Sequence, residues 1–189
     1  MASEPKYKNW GECIFWVYSN LNMYNAAKNK EAKRFDKYYY IIRSKAFKSY
    51  RDGSWSIHSL YEDNNDKEDF GKSCCWYCGH SAQGATKLTV EHIFPKVKGG
   101  DDSFDNLVYS CKSCNSSKND KDLIQWLTEE KHTIPSFALA RIYMKLVYKY
   151  SVENSLMEKS IEDIQQMNLP FNPSSLKTIL EIFSDAKYL

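Results

Sequence analysis

Between Leu88 and Tyr109 the apolar positions fall in two short runs rich in β-branched and aromatic side chains, Leu88-Thr89-Val90 and Leu107-Val108-Tyr109. Runs of that length and composition predict strands. The first should end at Glu91-His92, and Pro95 with Gly99-Gly100 should break the chain into a loop before the return strand, which begins at Asp105-Asn106. A helix beginning near Asn115 completes a predicted unit of strand, loop, strand and helix. Downstream the spacing turns helical. Asp122 can cap a helix through Trp126 to Glu130, and Pro135 suits the first turn of another that runs through Tyr150. On that helix Leu139, Tyr143, Leu146 and Tyr150 form an apolar stripe, while Arg141, Lys145 and Lys149 recur every four residues on another face, which predicts a solvated basic row. Ser160 to Met167 reads as a short capped helix, and a last helix after Pro173 should turn Leu176, Ile179, Leu180 and Phe183 inward.

Upstream, Lys28 to Arg51 is basic and aromatic, and an acidic run from Glu62 to Asp69 reads as a boundary loop. The expected architecture is therefore α+β, with a mainly helical region over 1–70, a small core over 71–125 and a helical region over 126–189. At 189 residues the chain is long enough to bury a hydrophobic centre. It shows no run apolar enough to cross a membrane, and the polar start Met1-Ala2-Ser3-Glu4-Pro5 does not read as a secretory signal, so the cytoplasm is the expected location. The net charge of +2 hides an asymmetry. Lys28, Lys30, Lys33, Arg34, Lys37, Arg43, Lys45, Lys48 and Arg51 face only Glu31 and Asp36 in that stretch, interleaved with Phe35, Tyr38, Tyr39, Tyr40, Phe47 and Tyr50. Such a pattern suits a nucleic-acid footprint, with Arg34, Arg43 and Lys45 as candidate phosphate contacts. It suits equally an amphipathic helix with a solvated basic face.

Candidate chemistry lies in the core. Cys75-x-x-Cys78 and Cys111-x-x-Cys114 each place two thiolates on a tight turn, and four thiolates make the closed tetrahedral sphere of a structural Zn²⁺. Cys74 could replace Cys75, but the spacing of the downstream pair favours Cys75. Between the pairs, His92 follows a carboxylate, and imidazole is the side chain whose unperturbed pKa suits a base near neutrality. Glu91 offers a hard oxygen to Mg²⁺ or Mn²⁺, and Asn115 offers a second. Lys118 reads as a solvated helix residue that could also face phosphate. His58, His80 and His132 fall outside the pattern and read as structural or surface residues.

The order Cys-x-x-Cys, Glu-His with Pro95 three residues later, Gly-Gly, Asp-Asn-Leu and Cys-x-x-Cys-Asn-x-x-Lys resembles the HNH endonucleases of the ββα-metal superfamily. The run Asp101 to Asn106 is also similar to the corresponding loop in the HNH domain of RNA-guided CRISPR effectors. The resemblance implies a ββα-metal nuclease core that hydrolyses DNA, double-stranded by expectation. It implies His92 as general base, Glu91 and Asn115 as ligands of one catalytic divalent ion, and Asn106 as the residue that holds the loop carrying the base. Glu91 stands where Asp is commoner in that family. Restriction, phage defence or a mobile element is the biological setting that the resemblance suggests, and a homodimer or a partner protein is compatible with it. The competing class is a non-catalytic zinc module that binds nucleic acid or a protein.

Overall fold

The computed structural model describes residues 7–57, 73–81 and 87–189. The acidic run Glu62 to Asp69 and His58 lie outside these. In chain order the elements are α1 (Trp10–Asn29), α2 (Lys37–Arg51), β1 (Leu88–His92), β2 (Leu107–Cys111), α3 (Lys112–Lys118), α4 (Leu123–Gln125, continued by a π turn over Trp126–Glu130), α5 (Phe137–Glu153), α6 (Ile161–Gln165) and α7 (Ser174–Ser184). Helices on either side, in sequence, of one two-stranded antiparallel sheet make this an α+β fold. No described helix is long and apolar enough to cross a membrane.

The chain forms two compact units. One comprises 1–58, 147–167 and 176–189, and the other 59–146 and 168–175. The helical region expected over 126–189 is thus shared between both, and α5 passes from the second unit to the first at Leu146.

In the first unit α1 is buried nearly all round, from Trp10 through Ile14, Val17, Tyr18 and Leu21 to Ala27. Asn9 starts it by accepting a hydrogen bond from the Glu12 N–H at 2.9 Å, the exchange expected of an N-cap. α2 has only three buried residues, Tyr39, Ala46 and Tyr50. It meets α1 through aromatic pairs: Phe15 stacks on Tyr50 at 5.8 Å and Trp16 meets Phe47 edge-on at 5.3 Å, arrangements that ring quadrupoles favour. On α7, Leu176, Ile179 and Phe183 are buried as the apolar spacing predicts.

In the second unit β1 pairs with β2 in the register Leu88↔Cys111 to His92↔Leu107. The return strand starts two residues later than expected, because Phe104–Asn106 form a 3-10 turn, and α3 begins at Lys112, ahead of Asn115. Phe94 and Ile93, just beyond β1, are buried, with Phe94 edge-on to Tyr143 at 5.5 Å. The loop after His92 is therefore anchored in the apolar core.

Two of the three residues of the basic row on α5 are buried rather than solvated, and Lys149 is half-buried. Arg141 and Lys145 are each only 8% exposed. Lys145 pairs with Asp105 at 3.2 Å, and the Arg141 guanidinium lies 5.4 Å from the Phe137 ring. Every residue from Leu139 to Val147 is buried, so a side chain opposite the apolar stripe finds protein there rather than water.

Asp122 does more than cap α4. It accepts from the N–H groups of Ile124 and Gln125 at 3.0 and 3.1 Å, from the Asn172 N–H at 3.0 Å, and from the hydroxyls of Tyr143 and Ser175 at 2.5 and 2.6 Å. Burial, and then the Asp122 carboxylate, push the Tyr143 hydroxyl far above its usual pKa. Asp122→Ala would strand three fully buried donors, the Ile124 N–H and the hydroxyls of Tyr143 and Ser175, each at a cost of about 1–3 kcal/mol. The expected loss is at least about 3 kcal/mol, read as a lower urea midpoint at unchanged slope. A loss under about 1 kcal/mol would show that water replaces the carboxylate.

Candidate active site

The four cysteines come together from two turns. The first is closed by the Gly79 N–H on the Cys75 carbonyl and the Cys75 N–H on the His80 carbonyl, both at 2.8 Å, and the Trp76 N–H ties it to the Tyr109 carbonyl of β2 at 2.9 Å. The second is the junction of β2 and α3, which carries Cys111 and Cys114. The sulfurs of Cys75, Cys78, Cys111 and Cys114 all lie within 4.8 Å of one another, and Cys78 and Cys111 are 3.9 Å apart. A tetrahedral ion with Zn–S bonds of about 2.3 Å requires sulfurs about 3.8 Å apart, so the cluster fits zinc in both donor type and spacing. Cys74 is not in it; its backbone forms a β-bridge with Ser81. A cavity of about 870 Å³ opens beside the cluster, lined in part by Tyr77, Lys112, Trp126 and Lys131. None of Glu91, His92, Asn106 and Asn115 lines it.

Those four gather around the far end of β1 and the start of its loop. Asn106, 1% exposed, is bonded to the loop through its whole amide group. Its Oδ1 accepts from the Phe94 N–H at 2.7 Å, while its Nδ2 donates to the carbonyls of Phe94 and Asp101 at 3.1 and 2.8 Å. Its own carbonyl accepts from the Ile93 N–H at 2.8 Å. Gly100 passes so close that a Cβ there would lie 1.9 Å from the Phe94 carbonyl oxygen and 2.9 Å from Asn106 Nδ2. Only glycine fits this crossing.

The His92 imidazole keeps about a quarter of its surface exposed, its Nε2 2.8 Å from Asp102 Oδ1. The other Asp102 oxygen takes the Lys96 ammonium at 2.5 Å. Lys96, and after it His92, hold the Asp102 carboxyl below the usual carboxylate range. Nothing in the sequence singled out Asp102 as a partner of His92; its place in a polar loop gave no signal.

Glu91 and Asn115 lie along the contact of β1 with α3. Asn115 donates through Nδ2 to Thr89 Oγ1 at 3.0 Å, and Glu91 is two residues beyond Thr89, on the same face of the strand. Strand residues two apart thus meet helix residues three apart. Glu91 does so by binding Lys118, whose Nζ is 3.1 Å from Oε1. Lys118 is therefore not the solvated helix residue the sequence suggested. It is 0% exposed, also donating to the His92 carbonyl at 2.7 Å. Burial pulls its ammonium below the ordinary lysine pKa, and Glu91 opposes that shift.

The expected phosphate contacts in the other unit divide. Arg34 and Lys45 are exposed. Arg43 is a packing residue: its guanidinium lies 4.4 Å from the Trp16 ring and 5.0 Å from the Tyr40 ring, and donates to Asn20 Oδ1 at 3.3 Å. His80 and His132 are exposed, in keeping with a surface role.

Residues 75–121 match the family model for HNH endonuclease. This segment is similar to HNH endonucleases. No curated protein and no solved structure matches the chain. The HNH match spans both cysteine pairs, the hairpin with its loop, and α3, which is the whole of the site described above. HNH endonucleases are nucleases, and the substrate of that family is nucleic acid.

Proposed function

We propose that this protein is a metal-dependent endonuclease that hydrolyses phosphodiester bonds of double-stranded DNA, with His92 as general base. The observation that carries this reading is the pairing of His92 with Asp102 beside Glu91, on a loop held by Asn106. An ionised carboxylate only accepts hydrogen bonds, so Asp102 accepts from the Nε2–H of His92, which keeps its proton there and leaves Nδ1 as the basic nitrogen. Nδ1 then takes the proton of an attacking water. Asn106 keeps the loop beyond His92 from drifting, since a base must stay within hydrogen-bond reach of the proton it removes.

Glu91 and Asn115 fit a catalytic Mg²⁺ or Mn²⁺ by donor chemistry. Asn115 engages Thr89 through nitrogen, which leaves its carbonyl oxygen as donor, and Lys118 engages one Glu91 oxygen, which leaves the other. When bound, such an ion stabilises negative charge on the scissile phosphate and on the departing oxygen. The four-thiolate zinc holds the first turn against the β2–α3 junction and takes no chemical part. Arg34 and Lys45 supply sequence-independent phosphate contacts from the other unit.

Nicking of supercoiled plasmid tests this reading. Protein carrying its zinc should nick with Mg²⁺ or Mn²⁺, stop in EDTA mild enough to spare the thiolate site, and recover when Mg²⁺ or Mn²⁺ is restored. A folded protein that binds DNA yet never nicks under these conditions would leave the non-catalytic zinc module as the reading.

A further inference from the structure

Lys118 sits three residues after Asn115 on α3, and its ammonium ends on Glu91 Oε1 and the His92 carbonyl, with a longer contact of 3.5 Å to the Asn119 carbonyl. Lysine is among the residues least often fully buried, because an ammonium taken out of water must be compensated by charge and hydrogen bonds. An apolar side chain of the same length could pack α3 against β1 without that cost. What it could not supply is a positive charge bonded at once to the side chain of residue 91 and the main chain of residue 92.

We propose that Lys118 is a positioning residue of the metal site: it locks Glu91 and the His92 backbone to the helix that carries Asn115, and its charge limits how tightly Glu91 binds a divalent cation. The inference rests on the reading of Glu91 as a metal ligand. Two effects of opposite sign follow. A fixed positive charge on the carboxylate repels a cation that shares it, so losing Lys118 should tighten metal binding. The same loss frees the carboxylate and the end of β1, and a small misplacement of reacting groups slows catalysis. A merely structural lysine would not give tighter binding together with slower turnover.

The test compares the full chain with Lys118→Met, close to lysine in length and uncharged, at matched zinc content. Mn²⁺ binding without DNA is read by electron paramagnetic resonance, and nicking is read under single turnover at saturating Mn²⁺. Lys118→Met should bind Mn²⁺ at least about tenfold more tightly and nick at least about tenfold more slowly. Should Lys118→Met fail to fold, Lys118→Gln, which keeps a donor and drops the charge, should shift both readouts in the same directions. Mn²⁺ binding that is unchanged or weaker in the folded variant would overturn the proposal while a nicking wild type left the nuclease reading standing. A wild type that neither binds Mn²⁺ nor nicks would overturn both.

Discussion

His92→Ala should lower the rate of DNA cleavage by about 10²- to 10⁴-fold, the usual contribution of a positioned acid or base, while folding and DNA affinity stay near wild type. The structure explains why the two can separate. The imidazole is about a quarter exposed and its side-chain partner, Asp102, is itself mostly exposed, so truncation strands no buried donor. A partly exposed side-chain hydrogen bond of this kind contributes only about 0.5–1.5 kcal/mol to stability. The backbone of the loop is held independently, by Asn106 on Phe94 and Asp101 and by Phe94 in the core. Single-turnover nicking beside thermal unfolding measures both quantities. A folded His92→Ala protein that keeps more than about a tenth of the rate would remove His92 from the role of base.

Loss of the zinc ligands should have the opposite signature, with activity and fold disappearing together. Structural zinc contributes on the order of 10–16 kcal/mol in zinc-finger peptides, against about 5–15 kcal/mol of net stability for a typical domain. Without zinc the first turn keeps the backbone bonds around Cys75 and Trp76 and the edge-on contact of Tyr77 with Trp126 at 5.3 Å, while Cys78 is exposed and buries little apolar surface. Cys114, by contrast, is buried on α3, so Cys114→Ser removes a ligand at the point where the site joins the helix that carries Asn115 and Lys118. The expected outcome is insoluble protein, or soluble protein without bound zinc that has lost the cooperative unfolding of the hairpin unit. Metal analysis should find one zinc per wild-type chain. A soluble Cys114→Ser protein that nicks at full rate would contradict a four-thiolate structural site.

Local chemistry accounts for the parts of this fold that were legible along the chain. Ligand spacing depends on a few consecutive residues, so the two Cys-x-x-Cys turns and the choice of Cys75 over Cys74 could be read directly, and the sulfurs do cluster. β-branched runs and turn breakers placed β1 to end at Glu91-His92 and the loop to follow, and Asp122, Ser160 and Pro173 marked helix starts within a few residues. The order of motifs from Cys75 to Lys118 pointed to the HNH family, whose model covers that stretch. Only the tertiary structure decided the fate of the charged residues. Lys118, Arg43 and Lys145 share the composition of solvated faces, and each turns out buried or stacked, because Glu91, Trp16 and Asp105 arrive to receive them. Lys145 finds Asp105 from 40 residues away, and Asp122 finds Ser175 from 53. Burial of a charge is favourable only once a partner is in place, and a partner supplied by a distant segment leaves no trace in the pattern around the residue it neutralises.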